Sequence, residues 1–234
     1  MHRFYCPSLP PLSACIELDA DQSHHARRTL RLHEGDTISA FDGQGTVASA
    51  VIVRCDESAV TLQVSELTRQ PAPRPELTLA VAFPKGPRAD DMVNQLAQLG
   101  VARLIPLNTQ RSVAEPGSGR RQRLARIAIE AAKQCGRAHL MATPGPMDLA
   151  QVLALPAELR LLAAPGGSAP RDFAQRLASA ATTLALIGPE GGWTDAECSQ
   201  AQEAGSLPWM LGPHILRIET AAVAAAAIVR YLTL

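Results

Sequence analysis

The chain has 234 residues and a mass of 24.8 kDa, and its 47% of hydrophobic residues suffice for one large core or two modest ones. Its 22 basic and 22 acidic residues cancel, so no global positive field marks a nucleic-acid binder, and such a role must rest on local clusters. Five scattered cysteines with no CxxC pair argue against a disulfide frame or a zinc site, and for reduced thiols in the cytoplasm.

Residues 1–70 read as a small β-rich domain. Turn chemistry at His33–Asp36 and Asp42–Gly45 separates short apolar stretches, and the alternation in Thr46–Val53 and Ala59–Val64 fits half-buried strands joined by hairpins. The run Gln70–Pro75 carries three prolines in six residues, which places a linker at 71–75. From 76 to 234 continuous apolar runs alternate with helical patterns. Strands are expected at Leu77–Phe83, Val101–Leu107, Leu159–Ala164, Leu184–Ile187 and Trp209–Leu211. Helices are expected at Asp90–Leu99, Arg120–Gln134, Arg171–Ala181, from Thr194 to Gly205, and at Ala221–Leu232. Thr194 and Glu197 have capping-box spacing. Strands apolar on both faces and separated by helices imply an α/β domain with a parallel sheet covered on two sides. The last helix is apolar almost all round, which places it in a core or in a subunit interface. The longest uncharged apolar run, Ala221–Val229, is far short of the roughly 20 residues that span a bilayer, and Met1–Cys15 has no apolar stretch of the signal-peptide kind.

Two strand-end loops carry the chemistry. The first is Gly188-Pro189-Glu190-Gly191-Gly192, where glycine lets a ligand approach the main chain at the edge where open α/β sheets bind ligands. It is neither GxGxxG nor GxxxxGK[ST], so a nucleotide-triphosphate cradle is disfavoured. The second, Leu211–Thr220, sets Arg217 and Glu219 among apolar Ile215, Leu216 and Ile218, which suggests a partly buried pair with a functional role. His24, His25 and His33 lack a carboxylate or cysteine to complete a metal site, so no metal is expected. Cys135, between Lys133 and Arg137, reads as a buried structural cysteine. A hydrolase is disfavoured because no GxSxG elbow is present.

The stretches LIGPEGGWTDAE and LGPHILRIETA closely resemble the signatures of the bacterial 16S ribosomal RNA uridine-N3 methyltransferases, members of the SPOUT class. The resemblance extends through Lys85-Gly86, Leu99–Val101, Pro106-Leu107, Arg111–Val113 and Glu130–Arg137 to Arg3-Phe4, His25, Leu30-Arg31, Gly35-Asp36 and Phe41–Gly43, and so covers nearly the whole chain. Two positions depart from the family pattern. His214 stands where the family carries arginine, and Gln98 where it carries glutamate.

The resemblance implies a PUA-like β-barrel, then a SPOUT-type parallel sheet with a C-terminal trefoil knot, in a homodimer formed through the C-terminal domain. It implies S-adenosyl-L-methionine as cofactor, bound by Leu162, Ala163, Gly188, Pro189, Glu190, Gly191, Leu211, Gly212 and Leu216 mostly through backbone. Arg217 is then the candidate to stabilise charge on the uracil, with Glu219 orienting it or balancing the sulfonium. The RNA partner, 16S ribosomal RNA in the small subunit, calls for local positive charge. Seven basic residues against two acidic ones (Glu115 and Glu130) lie between Arg111 and Arg137, and Arg27, Arg28 and Arg31 form a second cluster. Arg3, Arg27, Arg28, Arg31, Arg111, Arg121, Arg123 and Arg137 are the expected RNA contacts. The competing readings are a catalytically silent RNA-binding or ribosome-assembly protein of the same fold, and a SPOUT enzyme for another RNA.

Overall fold

The computed structural model describes residues 1–57, 59–112 and 118–234, so Val113 and Glu115 of the motif and charge readings lie outside the described residues. Two compact units emerge, Met1–Ala72 with Ala132–Leu140, and Pro73–Ala131 with Met141–Leu234. The inclusion of 132–140 in the first unit is a long-range event that no local sequence pattern announces.

The first unit contains β1 (Arg3–Tyr5), β2 (Cys15–Glu17), α1 (Ala20–His24) running into one π-helical turn at His25–Thr29, β3 (Thr37–Phe41), β4 (Thr46–Cys55) and β5 (Val60–Arg69). These strands form one sheet in the order β1-β3-β4-β5-β2, antiparallel except for β1 against β3. Period-two alternation sends Ile38, Ala40, Ala48, Ala50, Ile52, Leu62 and Val64 into a core shared with Phe4. The β3–β4 turn needs backbone at positive φ, +77° at Gly43 and +104° at Gly45, where a side chain would be strained. The Asp42 carboxylate closes that turn by accepting the Gln44 and Thr46 N–H groups at 2.7 and 2.9 Å. Segment 132–140 docks here by backbone, Gly45 N–H to the Ala138 carbonyl at 3.1 Å and Leu140 N–H to that of Gly43 at 3.0 Å. The His139 ring adds a 2.8 Å contact to the Gln70 carbonyl.

The second unit contains β6 (Glu76–Val81), α2 (Arg88–Gln98), β7 (Arg103–Asn108), α3 (Ser118–Cys135, its last turn counted with the first unit), β8 (Met147–Asp148) and α4 (Leu149–Leu153). There follow β9 (Leu159–Ser168), a 3-10 turn at Pro170–Phe173, α5 (Ala174–Ser179), β10 (Thr182–Ile187), α6 (Asp195–Glu203), β11 (Ser206–Trp209) and α7 (Ile218–Tyr231). Its six strands lie in the order β11-β9-β10-β6-β7-β8, every neighbouring pair parallel. Both faces are buried, as the continuous apolar runs imply. Leu77, Leu79, Val81, Ala185 and Ile187 face α2, α3 and α7, whereas Ala80, Leu184 and Leu186 face α4 and α6.

Two elements correct the sequence reading. β11 ends at Trp209 instead of beginning there. Pro208 fits within it because β11 is an edge strand, where a missing N–H costs no ladder bond. α7 starts at Ile218, and only one of its stripes is settled by the core: Ala221, Ala222, Ala225, Ala226 and Val229 are buried. Val223, Ala224 and Ala227 stay half-buried along a groove of about 480 Å³ that Arg88, Met92 and Gln95 of α2 also line. At its last turn the Arg230 guanidinium donates to the carbonyls of Pro75, Leu99 and Gly100 at 2.9, 3.1 and 2.6 Å. That clasp joins the end of α7 to the end of α2 and the start of β6. Burial holds the Arg230 guanidinium below its ordinary pKa.

Candidate active site

Strand register decides where the two chemistry-bearing loops meet. Leu162 of β9 is level with Leu186 of β10 and with Pro208 of β11, so three adjacent parallel strands release their chains at one edge of the sheet. Open α/β sheets bind ligands at that carboxyl edge. Leu162 and Pro189 are buried, Ala163, Gly188, Leu211, Gly212 and Leu216 are half-buried, and Glu190 and Gly191 are exposed. The nine residues expected to bind a cofactor thus belong to three neighbouring segments, although 25 residues separate Leu162 from Gly188 in sequence.

β9 is longer than its apolar run, because Ala164–Ser168 continues beside β11 and the Ser168 carbonyl accepts the Met210 N–H at 3.0 Å. Gly167 makes this possible. A Cβ there would lie 2.5 Å from the Trp209 backbone nitrogen. The loop after β10 is fixed from within and without. Gly192, at φ +72°, closes a turn by donating to the Pro189 carbonyl at 2.9 Å. The Trp193 indole N–H then reaches the Ala163 carbonyl at 3.0 Å, joining the loop after β10 to β9, and its ring fills the space a Cβ on Gly188 would need. Neither Gly167 nor Trp193 is among the expected site residues, although the Gly166-Gly167 pair and the place of Trp193 within LIGPEGGWTDAE were signals in the sequence.

The capping box at the start of α6 is present. Thr194 N–H and hydroxyl donate to Glu197 at 2.9 and 3.0 Å, and Glu197 N–H donates back to the Thr194 hydroxyl at 3.3 Å. Glu197 also accepts the Gln110 N–H at 2.9 Å, so a carboxylate only 5% exposed is fully engaged. Burial alone would push its pKa up. The hydrogen bonds from Thr194 and Gln110, with the Arg111 charge, outweigh that and leave it below the usual carboxylate value.

The expected partly buried pair of Arg217 and Glu219 does not form. Arg217 is the N-cap of α7 and exposed, and its side chain pairs with no carboxylate among the described residues. Residues two apart at a helix start point away from each other, so adjacency in sequence gave the wrong partner. Glu219 instead accepts from Arg88 Nη1 at 3.4 Å, while its buried Oε2 has no hydrogen-bond partner among the described residues. Nor does the apolar company imply burial, since Ile215 is 90% exposed.

The expected RNA contacts divide by environment. In the first unit Arg28 and Arg31 are exposed, and Arg27 and Arg137 are half-buried. Arg3 is already occupied, its Nη1 donating to the Gly136 carbonyl at 2.6 Å and its guanidinium carbon lying 4.6 Å from the centre of the Phe41 ring. In the second unit Arg121 is half-buried, Arg123 pairs with Asp90 at 2.6 Å, and the exposed Arg111 donates to the Gly191 carbonyl at 2.6 Å. Cys135 is exposed, not buried, because it sits in the last turn of α3 on its open side. Among the described residues no group of three metal-ligating side chains gathers, and no helix is long and apolar enough to cross a membrane.

The three strand-end segments offer mostly main chain and apolar side chains, with Glu190 and Glu219 as carboxylates and Arg217 as a cation. Such a donor set fits an adenosyl group carrying a cationic sulfonium and leaves a triphosphate uncompensated. Residues 70–230 match the model of an RNA methyltransferase domain, and residues 18–65 that of an RNA methyltransferase PUA domain. The chain is also 34% identical to the ribosomal RNA small subunit methyltransferase E of Synechocystis, over 92% of this chain and 73% of that one. It belongs to the ribosomal RNA small subunit methyltransferase E family.

Solved structures of similar proteins agree with the fold of this methyltransferase. The ribosomal RNA small subunit methyltransferase E of Neisseria gonorrhoeae, bound to S-adenosyl methionine, is 27% identical with a TM-score of 0.90 over 99% of this chain and 98% of that one. A Legionella pneumophila protein described as a methyltransferase in complex with the bound cofactor SAM is 29% identical, with a TM-score of 0.88 over 98% of this chain and 96% of that one. The two-sided parallel sheet and the PUA domain implied by the motif resemblance are therefore those of the methyltransferase family.

Proposed function

We propose that this methyltransferase uses S-adenosyl-L-methionine to methylate N3 of a specific uridine in 16S ribosomal RNA, on the small ribosomal subunit in the cytoplasm. The observation that carries the reading is the convergence of the three loops after β9, β10 and β11 at one sheet edge. Leu162, Ala163, Gly188, Pro189, Glu190, Gly191, Leu211, Gly212 and Leu216 hold the cofactor, mostly by main chain, and the trefoil knot belongs to this reading. When bound, the cofactor supplies an electrophilic methyl group on a cationic sulfur. Uracil N3 becomes a nucleophile as its proton leaves, and charge then spreads onto the flanking carbonyl oxygens. Arg217, exposed at the first turn of α7, offers a planar fork of donors to those oxygens. Glu219, held by Arg88, supplies negative charge on the same turn of helix. The half-buried apolar stripe of α7 supports a homodimer through this unit. Exposed Arg28 and Arg31 support RNA contact by the first unit.

Small ribosomal subunits lacking native methylation, incubated with protein and labelled cofactor, test the reading by mass mapping of the RNA. One methylated uridine, modified at N3, is expected. Methyl on another base, or none, overturns it. His214, exposed where the family carries arginine, favours a second reading, a catalytically silent RNA-binding protein. Isothermal titration separates the two, since only an intact site takes up S-adenosylmethionine.

A further inference from the structure

Arg111 is one of the RNA contacts expected from the sequence. Its surroundings assign it differently. The loop after β7 is a closed turn: Ser112 N–H donates to the Thr109 carbonyl at 3.1 Å, Thr109 N–H to the Ser112 hydroxyl at 2.9 Å, and the two hydroxyls are 2.8 Å apart. Gln110 N–H is fixed to buried Glu197 at 2.9 Å, which anchors this turn to the start of α6. From that anchored turn the Arg111 side chain reaches the Gly191 carbonyl at 2.6 Å. Its aliphatic stem also covers Gly191 so closely that a Cβ there would meet Arg111 Cδ at 3.2 Å. Gly191 belongs to the short loop whose other end is held by Trp193 on the Ala163 carbonyl. The loop is thus held at both ends, by the bond from its own Trp193 to Ala163 of β9 and by Arg111 from the turn after β7, with Glu190 and Gly191 exposed between them.

We infer that Arg111 is a positioning residue that sets the Pro189–Gly192 loop for cofactor binding through the Gly191 carbonyl, an inference that rests on the cofactor reading proposed above. A carbonyl turned toward Arg111 cannot swing into the cofactor's space, and the guanidinium holds it there at no cost in buried charge, because Arg111 is exposed.

Two variants separate this role from an RNA contact. Arg111→Ala removes stem and donor together, and Arg111→Met keeps the stem on Gly191 and removes only the donor and charge. Calorimetric titration of S-adenosylmethionine without RNA should show a Kd raised about tenfold in Arg111→Ala and somewhat less in Arg111→Met, the size expected for one charge-assisted hydrogen bond. Binding of a 16S ribosomal RNA fragment at saturating cofactor should stay within about twofold of wild type, with an unchanged salt slope. Melting curves of the apo variants should overlay wild type to within a few degrees, which excludes general unfolding as the cause. If both variants bind cofactor like wild type, or if the salt slope for RNA falls by about one while cofactor affinity holds, the assignment is wrong. Wild-type protein that takes up no cofactor sinks the functional reading itself, whereas wild-type uptake with unaffected variants sinks only the role of Arg111.

Discussion

Glu197→Gln is the substitution whose cost can be worked most directly. The buried carboxylate accepts three hydrogen bonds, from Gln110 N–H at 2.9 Å on Oε1 and from Thr194 N–H and hydroxyl at 2.9 and 3.0 Å on Oε2. In glutamine one acceptor oxygen becomes an NH2 group, and whichever way the amide sits, Gln110 or Thr194 is left with an N–H facing another donor. Losing one hydrogen bond to a charged acceptor costs about 1.5–3 kcal/mol. Removing negative charge from the first turn of α6 adds about 0.3–1 kcal/mol. The total, roughly 2–4 kcal/mol, lowers Tm by about 8 °C at the 2–4 °C per kcal/mol typical of this chain length. Differential scanning calorimetry at neutral pH measures it. The pH dependence gives a second check with a fixed sign. Because the folded pKa of Glu197 is depressed, its contribution is complete above the ordinary glutamate range and is lost as pH falls through the folded value. The gap between wild type and variant should therefore narrow on acidification. A variant melting within about 1 °C of wild type, or a gap that widens in acid, would refute the reasoning.

Three further outcomes are expected. Trp193→Phe keeps the ring against Gly188 and removes the bond to the Ala163 carbonyl, so calorimetry should show S-adenosylmethionine affinity reduced about 3- to 10-fold with little change in Tm. Arg230→Met leaves the carbonyls of Pro75, Leu99 and Gly100 without their donor and should cost roughly 3 kcal/mol in urea unfolding; a loss below about 1 kcal/mol contradicts the clasp. Arg217→Ala should lower kcat about 100-fold in a labelled-methyl assay while cofactor Kd stays within about twofold, and near-normal turnover rules out its proposed charge-stabilising role.

What could be read from the sequence was whatever local chemistry dictates. The Thr194–Glu197 capping box, the two-faced apolar strands, and the helix-ending Gly100 and Gly205 at φ +75° and +82° all follow from neighbours within a few residues. β8 and α4 were missed because prolines at Pro144 and Pro146 masked a short helix, although Asp148 and Gln151 form a capping box that a search for D-x-x-Q would have found. Sequence reading failed wherever a partner lay far along the chain. Arg88 and Glu219 are 131 residues apart, and Gln110 and Glu197 are 87 apart. At the candidate site the loops could be named, whereas the bonds that hold them, from Arg111, Trp193 and Glu197, required the fold.

The order of strands in the sheet bears on how the protein is made. β6 emerges early, and β7 can pair with it soon after, Thr78 against Arg103. Its other neighbour is β10, with Glu76 against Thr182, so a nascent chain shorter than Ile187 presents β6 with an open edge. β9 cannot cover that edge, since it lies on the far side of β10. Parallel pairing across so long a separation closes a large loop before any contact repays it, which makes assembly slow and the half-built sheet prone to stick to other chains. Arg230, the clasp that joins β6 and α2 to α7, is synthesised after every strand of this sheet. The middle strand β10, which joins the β6 side of the sheet to β9, is therefore made only after β6, β7, β8 and β9.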